Sequence, residues 1–282
     1  MIVVVPATMP AVELLPRPAE GRVFREERRV RLGDVDRRGR LRLDAAARLL
    51  QDVATRDASD ADLDRRRGWL VRRTLVEVGV APRLGEAVES ATWCTGIGRS
   101  WAERRSSIEG EHGGRVDAVS LWVQVDTTTG LPARIGDDFT DAYATAAAGR
   151  TVSSRLSLPP GPPDDSEGGV VEVRPWTVRR SDIDPFGHVN NAANWEFVEH
   201  CGRLDERERT GRAEMEYLHP VMFGDDLTVH LSTDGTDGAA GRGGDDGAAD
   251  DGRIDDGAIL TAWLRRGEDV LSVARWTPTP GR

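Results

Sequence analysis

The 282-residue sequence contains no lysine, so all 38 of its basic residues are arginines. Its two cysteines, Cys94 and Cys201, are too few for a disulfide framework or a cysteine-rich zinc site. We expect both to be reduced and buried. No apolar run approaches the roughly 20 residues that a membrane-spanning helix needs, and the first residues lack the basic leader of a secretory signal. These absences favour a cytoplasmic protein that does not enter the membrane.

The net charge of -10 argues against general nucleic-acid binding, which requires a basic surface to neutralise phosphates. Part of that charge lies in a Gly/Asp/Ala-rich stretch, residues 233–257, which holds eight Asp and two Arg. Such a segment can bury almost no apolar surface. We expect it to be an insertion that expands the loop between two strands.

The length of the chain is typical of two domains rather than one. Proline spacing and composition predict an irregular N-terminal arm over residues 1–21, and a Pro-rich linker over 151–169. These segments delimit a first domain at 22–150 and a second at 170–282, with the insertion inside the second.

The two predicted domains contain related sequences. Aligning Asp36 with Asp184 also superimposes Gly39 on Gly187, and a helical pattern of apolar residues follows each aspartate. Several strand-like runs come next in both copies. Each half therefore predicts a strand, a long helix and an antiparallel sheet, which is an α+β arrangement and not the alternation of a Rossmann-type fold.

One helix wrapped by one sheet, present twice, is the arrangement of hotdog proteins. Two stretches of the chain are similar to the acyl-acyl-carrier-protein thioesterases of plants and bacteria: Trp69–Arg104, with its continuation Trp122–Arg134, and Asp182–Asn191. The resemblance implies two tandem hotdog domains forming a pseudo-dimer. It also implies hydrolysis of fatty acyl thioesters, with acyl-carrier protein as the favoured carrier, to free fatty acid and carrier thiol. No cofactor and no metal are expected.

The second stretch contains the residue types that thioester hydrolysis needs. Asp184 can act as a general base or as a nucleophile. His188 is placed to orient the thioester or to exchange a proton with the leaving thiol. The resemblance adds Asn190 to this catalytic set. A zinc site formed by Asp182, Asp184 and His188 is a weaker alternative.

Substrate binding is predicted from the same run. We expect Val189 to Asn191 to open the helix, because unpaired N–H groups there can polarise the thioester carbonyl. Gly187 permits close approach of the thioester. The predicted substrate-binding residues are Phe186, Gly187, Val189 and Asn191.

The chain departs from the family pattern at two positions of the second copy. Phe186 stands where the family carries Asn, and Pro220 stands where it carries Glu. The first copy departs further, since Arg40 replaces the histidine although Asp36 is retained. We therefore expect one functional site, in the second domain. The first domain would supply half of the acyl pocket, lined by Gln51 and Asp52.

Several alternatives stay open. Acyl-CoA is an alternative substrate, because both carriers share the pantetheine arm, and a non-catalytic acyl-thioester-binding protein is a third hypothesis. A hydratase is disfavoured by the Asp–His spacing.

The roles of some other residues are also open. Glu199 is either a pocket acid or a solvated helix residue. Arg104–Arg105 or Arg65–Arg67 would form the basic patch for an acidic carrier protein. Assembly of two pseudo-dimers into a homodimer is also left open.

Overall fold

The computed structural model describes residues 13–64, 66–163, 171–206, 210–234 and 257–279. Its first half contains these elements: β1 (Val23–Arg29), α1 (Leu43–Asp60), β2 (Arg67–Val80), β3 (Ala87–Ile97), β4 (Trp101–Gly110), β5 (Arg115–Asp126) and α2 (Asp137–Ala147). Its second half contains these: β6 (Val171–Trp176), α3 (Trp195–Cys201), β7 (Gly211–Tyr217), β8 (Leu227–Asp234), β9 (Ile259–Arg266) and β10 (Asp269–Pro278).

The ten strands form one antiparallel sheet in the order β1-β3-β4-β5-β2-β7-β10-β9-β8-β6. Outward from the central pair β2 and β7, the strands of each half follow the same sequence of positions. The central pair runs in register from Arg73 opposite Glu216 to Val78 opposite Gly211. The sheet is therefore two copies of one pattern joined edge to edge, which confirms the predicted α+β class and tandem hotdog arrangement.

The helix of the first half, α1, packs against β1, β3 and β4 of the sheet. Residues Ala46, Leu49, Leu50 and Val53 recur at helical spacing, and all four are buried in the main core. Burial of this stripe removes apolar surface from water, which is the main favourable term holding α1 to the strands. The apolar face predicted for this helix is confirmed.

The helix of the second half is shorter than the sequence pattern predicts. Residues 191–194 form turns, and α3 begins only at Trp195. The Asn190 side chain accepts the Ala192 N–H at 2.9 Å, which stabilises a turn in place of the first helical residues. At the other end Arg203 has a left-handed φ of 50°. The prediction that Val189 to Asn191 open the helix is therefore wrong.

Three further segments bear on the sequence predictions. Helix α2 was not predicted, although Phe139, Tyr143 and Ala147 bury the same side of it. The part of the predicted linker that is described packs on the sheet, since Trp263 donates its indole N–H to the Pro159 carbonyl at 3.0 Å. The acidic insertion is flanked by β8 and β9, but its residues 235–256 lie outside the described residues.

Both cysteines are buried and unpaired, as predicted. Burial raises the pKa of each thiol to about 11. Within the described ranges, no helix has the length and apolarity that a membrane span requires.

Candidate active site

The Asp184–Val189 segment is a tight turn held by its own backbone. The Asp184 N–H donates to the His188 carbonyl at 2.9 Å, and the Gly187 N–H donates to the Asp184 carbonyl at 3.0 Å. Gly187 has a φ of +88°, a conformation that other residues adopt only with strain. The Val189 N–H then donates to the Val221 carbonyl at 2.8 Å, which fixes the turn to the next loop.

The equivalent turn in the first half repeats these bonds. The Asp36 N–H donates to the Arg40 carbonyl at 2.8 Å, and the Gly39 N–H donates to the Asp36 carbonyl at 2.9 Å. Gly39 also has a positive φ, +73°. The internal repeat predicted from the sequence is confirmed, and it extends to individual hydrogen bonds.

In the second copy the turn leaves its acid and its imidazole available. The Asp184 carboxylate accepts the Phe186 N–H at 2.8 Å, and His188 Nδ1 lies 3.6 Å from the same Oδ1, beyond hydrogen-bond length. The side chain of Asp184 is 12 % exposed and that of His188 is 30 % exposed. Phe186 is 84 % exposed and its ring stacks on His188 with centroids 6.2 Å apart. This pair is close enough to work together and can be reached by a ligand.

In the first copy the corresponding acid is occupied. Arg40 Nη2 lies 2.9 Å from Asp36 Oδ2, and Arg40 Nε donates to the same oxygen at 3.0 Å. Both side chains are buried, and Arg40 also donates to the Asp205 carbonyl at 3.0 Å. The Asp36 carboxylate is therefore paired and buried within the fold.

Two asparagines follow the second turn and have different environments. The Asn190 amide oxygen is used by the turn described above. The Asn191 carbonyl accepts the Tyr217 hydroxyl at 3.2 Å, and Tyr217 in turn accepts the Trp195 indole N–H at 3.0 Å. Burial raises the pKa of Tyr217, so its hydroxyl stays protonated. Sequence reasoning missed Tyr217, which ends β7 and is 26 residues from Asn191 in the chain.

The Asn191 backbone N–H makes no hydrogen bond to any residue that the structure describes. The matching N–H in the first copy is that of Leu43, the first residue of α1. It donates to Glu199 Oε1 at 2.5 Å. Glu199 is therefore neither a pocket acid nor a solvated residue, because it is buried and caps the helix of the other half.

A cavity lies beside Asn191, between α1 and the sheet. It is lined by Ala47, Leu50, Gln51, Ala54, Val71, Thr74, Arg104, Ser106, Ser120, Trp122, Asn191, Ala192, Trp195 and Tyr217. Gln51 therefore lines a pocket, as predicted, whereas Asp52 is exposed and does not. The same sequence offset that relates Asp36 to Asp184 relates Gln51 to Glu199. Neither Asp184 nor His188 lines the cavity, which begins at Asn191.

One predicted role fails on burial. Arg104 and Arg105 are both buried, so they cannot form a docking patch for a carrier protein. In the other predicted patch, the Arg66 side chain is 90 % exposed, and Arg65 lies outside the described residues. Across the described ranges, no group of three or more His, Cys, Asp or Glu is arranged to hold a metal ion.

Comparison with known proteins agrees with this architecture. Residues 21–143 match the profile described as the acyl-ACP thioesterase N-terminal domain, and residues 167–251 match that of the acyl-ACP thioesterase C-terminal domain. An uncharacterized protein of Mycobacterium tuberculosis is 31 % identical over 218 residues, which cover 77 % of this chain and 85 % of that protein.

Two solved structures are similar in fold. One, from Lactobacillus plantarum, is assigned as an oleoyl thioesterase; it is 19 % identical, with a TM-score of 0.72, covering 93 % of this chain and 99 % of that one. The other is a 12:0-ACP thioesterase from Umbellularia californica, 20 % identical with a TM-score of 0.67, covering 91 % and 94 %.

Proposed function

The chain belongs to the acyl-ACP thioesterase family, whose members hydrolyse fatty acyl thioesters, and we propose that it does so at a single site around Asp184. The observation that supports this is the difference between the two copies of the turn. Asp36 is neutralised by a buried arginine, whereas Asp184 is accessible and has only a half-exposed histidine beside it. The second copy therefore keeps the catalytic groups, whereas the first copy keeps only the backbone of the turn.

The thioester carbonyl would bind at the Asn191 N–H. This donor has no hydrogen-bond partner among the described residues. The carbonyl group of Asn191 is held in place by the Tyr217 hydroxyl. A donor that is already oriented stabilises negative charge on the carbonyl oxygen as water attacks. Gln51 lines the same space and adds a second polar group beside that oxygen. The acyl chain would then extend from Asn191 into the cavity.

The reacting water would be activated by Asp184. Its carboxylate is held by the Phe186 N–H, so one oxygen has a fixed direction. The carboxylate removes a proton from water as the water oxygen bonds to the carbonyl carbon. The carbon–sulfur bond then breaks, and the proton that Asp184 took from water passes by way of His188 to the departing thiolate, which restores both side chains. The products are a fatty acid and the carrier thiol.

The other predicted site residues hold the site in shape or contact the substrate. Gly187 allows the turn and leaves open space for the thioester, since no atom lies within 4 Å of where its Cβ would be. Val189 is buried and fixes the turn to Val221. Asn190 stabilises the segment that presents Asn191. Phe186 covers one side of His188 and can contact the pantetheine arm.

Thiol release tests the proposal directly. Purified protein is mixed with decanoyl-CoA or palmitoyl-CoA and a thiol reagent, beside an Asp184→Ala variant whose melting temperature is matched to wild type. We expect release from wild type and almost none from the variant. Equal release from the two proteins, or none from wild type with any acyl chain or carrier, would leave a non-catalytic binding protein as the conclusion.

Acyl-carrier protein is the carrier that we propose. Arg180 lies beside the turn, with its guanidinium 4.4 Å above the exposed ring of Phe223. No described carboxylate forms an ion pair with Arg180, so its charge is available to an acidic partner. We expect Arg180→Glu to raise KM for acyl-carrier protein and to leave KM for acyl-CoA unchanged. Arg31→Glu, at the equivalent turn of the first half, is the control, and an equal effect of both variants would remove this docking site.

A further inference from the structure

The cavity beside Asn191 has a polar wall where a fatty acyl chain would lie. Arg104 of β4 stands directly opposite Ser120 of β5, and Ser120 stands directly opposite Thr74 of β2. Ser106 lies two residues from Arg104 on the same face. We call these four residues the polar row. All of them line the cavity.

Most groups of the polar row have partners. Thr74 Oγ1 and Ser120 Oγ are 3.0 Å apart, and Ser106 donates to Thr92 Oγ1 at 3.1 Å. Arg104 Nη2 is hydrogen-bonded to Asp57 and donates to Thr92 at 3.2 Å.

One group of the polar row lacks a partner. Among the described residues, Arg104 Nε is a buried nitrogen for which no hydrogen-bond acceptor is found. The side chain is 7 % exposed, and its guanidinium packs on the Tyr143 ring at 5.0 Å. A buried N–H without an acceptor is costly, because it has lost water and gained nothing in return.

A plain hydrocarbon chain would not supply that acceptor. It would pack well against the apolar side of the cavity, formed by Leu50, Val71 and Trp122. It would also exclude water from the polar row without offering an oxygen to Arg104. Sites built to hydrogen-bond a substrate oxygen discriminate strongly against analogues that lack it.

We propose that this cavity recognises acyl chains bearing a hydroxyl or oxo oxygen, through Arg104 of the polar row. The inference rests on the proposed function, because it assigns the substrate class of the same site. From Tyr217 on β7, beside Asn191, to Arg104 on β4 is a distance of three strand spacings, or about 14 Å. The oxygen therefore belongs on the distal part of the chain, far from the thioester.

The experiment compares decanoyl-pantetheine with its β-hydroxy and ω-hydroxy derivatives. We expect kcat/KM for the ω-hydroxy substrate to exceed that for the plain one by about tenfold or more. The β-hydroxy substrate should resemble the plain one, because its oxygen lies near the thioester. Equal values for all three, or a preference for the plain or the β-hydroxy chain, would overturn the proposal.

A pair of double variants assigns the preference to Arg104. Arg104→Met with Asp57→Asn removes the guanidinium together with its carboxylate, and the ω-hydroxy preference should fall towards one. Arg105→Met with Asp117→Asn is the matched control, because that buried pair is joined at 3.0 Å on the opposite face of the same strand. The control should keep the preference. Loss of the preference in both, or in neither, would contradict the assignment.

A binding measurement separates this proposal from the catalytic one. In an Asp184→Ala protein, ω-hydroxydecanoate should raise the melting temperature more than decanoate does. This holds whether or not wild type releases any thiol, and whether or not the Arg104 double variant folds. Equal shifts for the two acids would reject recognition of the distal oxygen. Absence of thiol release with unequal shifts would reject only the catalytic proposal.

Discussion

The two copies of the Asp-x-x-Gly turn have nearly the same backbone and opposite side-chain environments. In the first copy, Arg40 neutralises Asp36, and the carboxylate of Glu199 takes the N–H of Leu43. In the second copy, Asp184 is left with a neighbouring histidine, and the N–H of Asn191, a residue that lines the cavity, has no partner among the described residues. The backbone bonds of the turn are made in both copies, but the second copy lacks the partners that Arg40 and Glu199 supply to the carboxylate and to the N–H of the first.

This difference shows how, in a duplicated unit, one copy can stabilise the fold while the other provides the catalytic groups. An accessible carboxylate and an unpaired N–H contribute little to folding, because water satisfies them when no ligand is bound. A buried ion pair and a capped helix contribute to folding but are not available to a ligand. The first copy should therefore dominate the effect of substitutions on unfolding, and the second copy should dominate their effect on turnover.

The largest expected difference is in catalysis. Replacing Asp184 by Asn keeps the size of the side chain and removes the base, so kcat/KM should fall by about a thousandfold. Asp36→Asn is the matched substitution in the first copy and should leave kcat/KM within about twofold, since effects far from the reacting atoms are small. Thiol release under substrate-limited conditions measures both. Comparable losses from the two variants would show that the first copy is also catalytic.

The same two variants should separate in the other direction when unfolding is measured. Asp36→Asn leaves the buried Arg40 guanidinium without its carboxylate, which should lower the unfolding free energy by about 3 kcal/mol. Asp184→Asn should cost less than about 1 kcal/mol, because its partner is half-exposed. Urea titration followed by circular dichroism gives both values.

A second variant in the first copy checks the cause of that loss. Asp36→Leu combined with Arg40→Met removes both charges and fills a similar volume, so it should recover much of the stability. If the double variant is as unstable as Asp36→Asn alone, the ion pair is not what Asp36 contributes.

A smaller effect is expected at Gln51 and Glu199, the equivalent helix positions of the two copies. Gln51→Ala should lower kcat/KM by about tenfold, less than the loss of a main oxyanion donor, because the Asn191 N–H remains. Glu199→Ala should leave turnover unchanged and lower the unfolding free energy by about 2 kcal/mol. The substitution removes the buried carboxylate of α3 that accepts the N–H of Leu43, the first residue of α1. Parallel kinetic and urea measurements would contradict the comparison if the two variants changed the same quantity.

Much of the fold was predictable because it is encoded locally. The Asp-x-x-Gly spacing specifies a turn closed by its own backbone, and it does so in both copies. The apolar stripe of α1 was likewise visible from its period. The length of α3 was not, because the Asn190 side chain competes with the helix for the N–H of Ala192. The pattern of apolar residues around it carries no trace of that competition.

The site was predictable as a set of residues but not as a set of contacts. The sequence showed that Arg40 replaces the histidine of the second copy. Its bond to Asp36 could not be predicted, because that bond depends on burial by the Leu204–Asp205 segment of the other half. Arg104 and Arg105 resemble a surface patch in the sequence. Both are buried, because one side of β4 faces the cavity and the other side meets the N-terminal arm, where Arg105 donates to the Leu15 carbonyl. Only the tertiary structure covers both faces.

The smallest expected effect concerns acid stability at Asp44. Burial alone would raise the pKa of this carboxyl, but the hydrogen bond from Arg42 and the charge of Arg48 outweigh it and hold the pKa below its ordinary value. A lowered folded-state pKa contributes stability above the unfolded pKa of about 3.9 and loses it as pH falls further. The stability gap between wild type and Asp44→Asn should therefore be constant near neutrality and shrink below pH ~4.

The second copy supplies the opposite case for the same measurement. Ala192 occupies the position equivalent to Asp44, and Asn190 and Glu196 stand where the first copy has Arg42 and Arg48. A carboxyl introduced by Ala192→Asp would be buried without a cation, so its folded-state pKa should be raised. The protein with Ala192→Asp should therefore gain stability relative to wild type as the pH falls, whereas wild type, which carries Asp44, loses stability relative to Asp44→Asn. If the Ala192→Asp protein instead lost stability relative to wild type on acidification, the arginines around Asp44 would not be what lowers the pKa of that carboxyl.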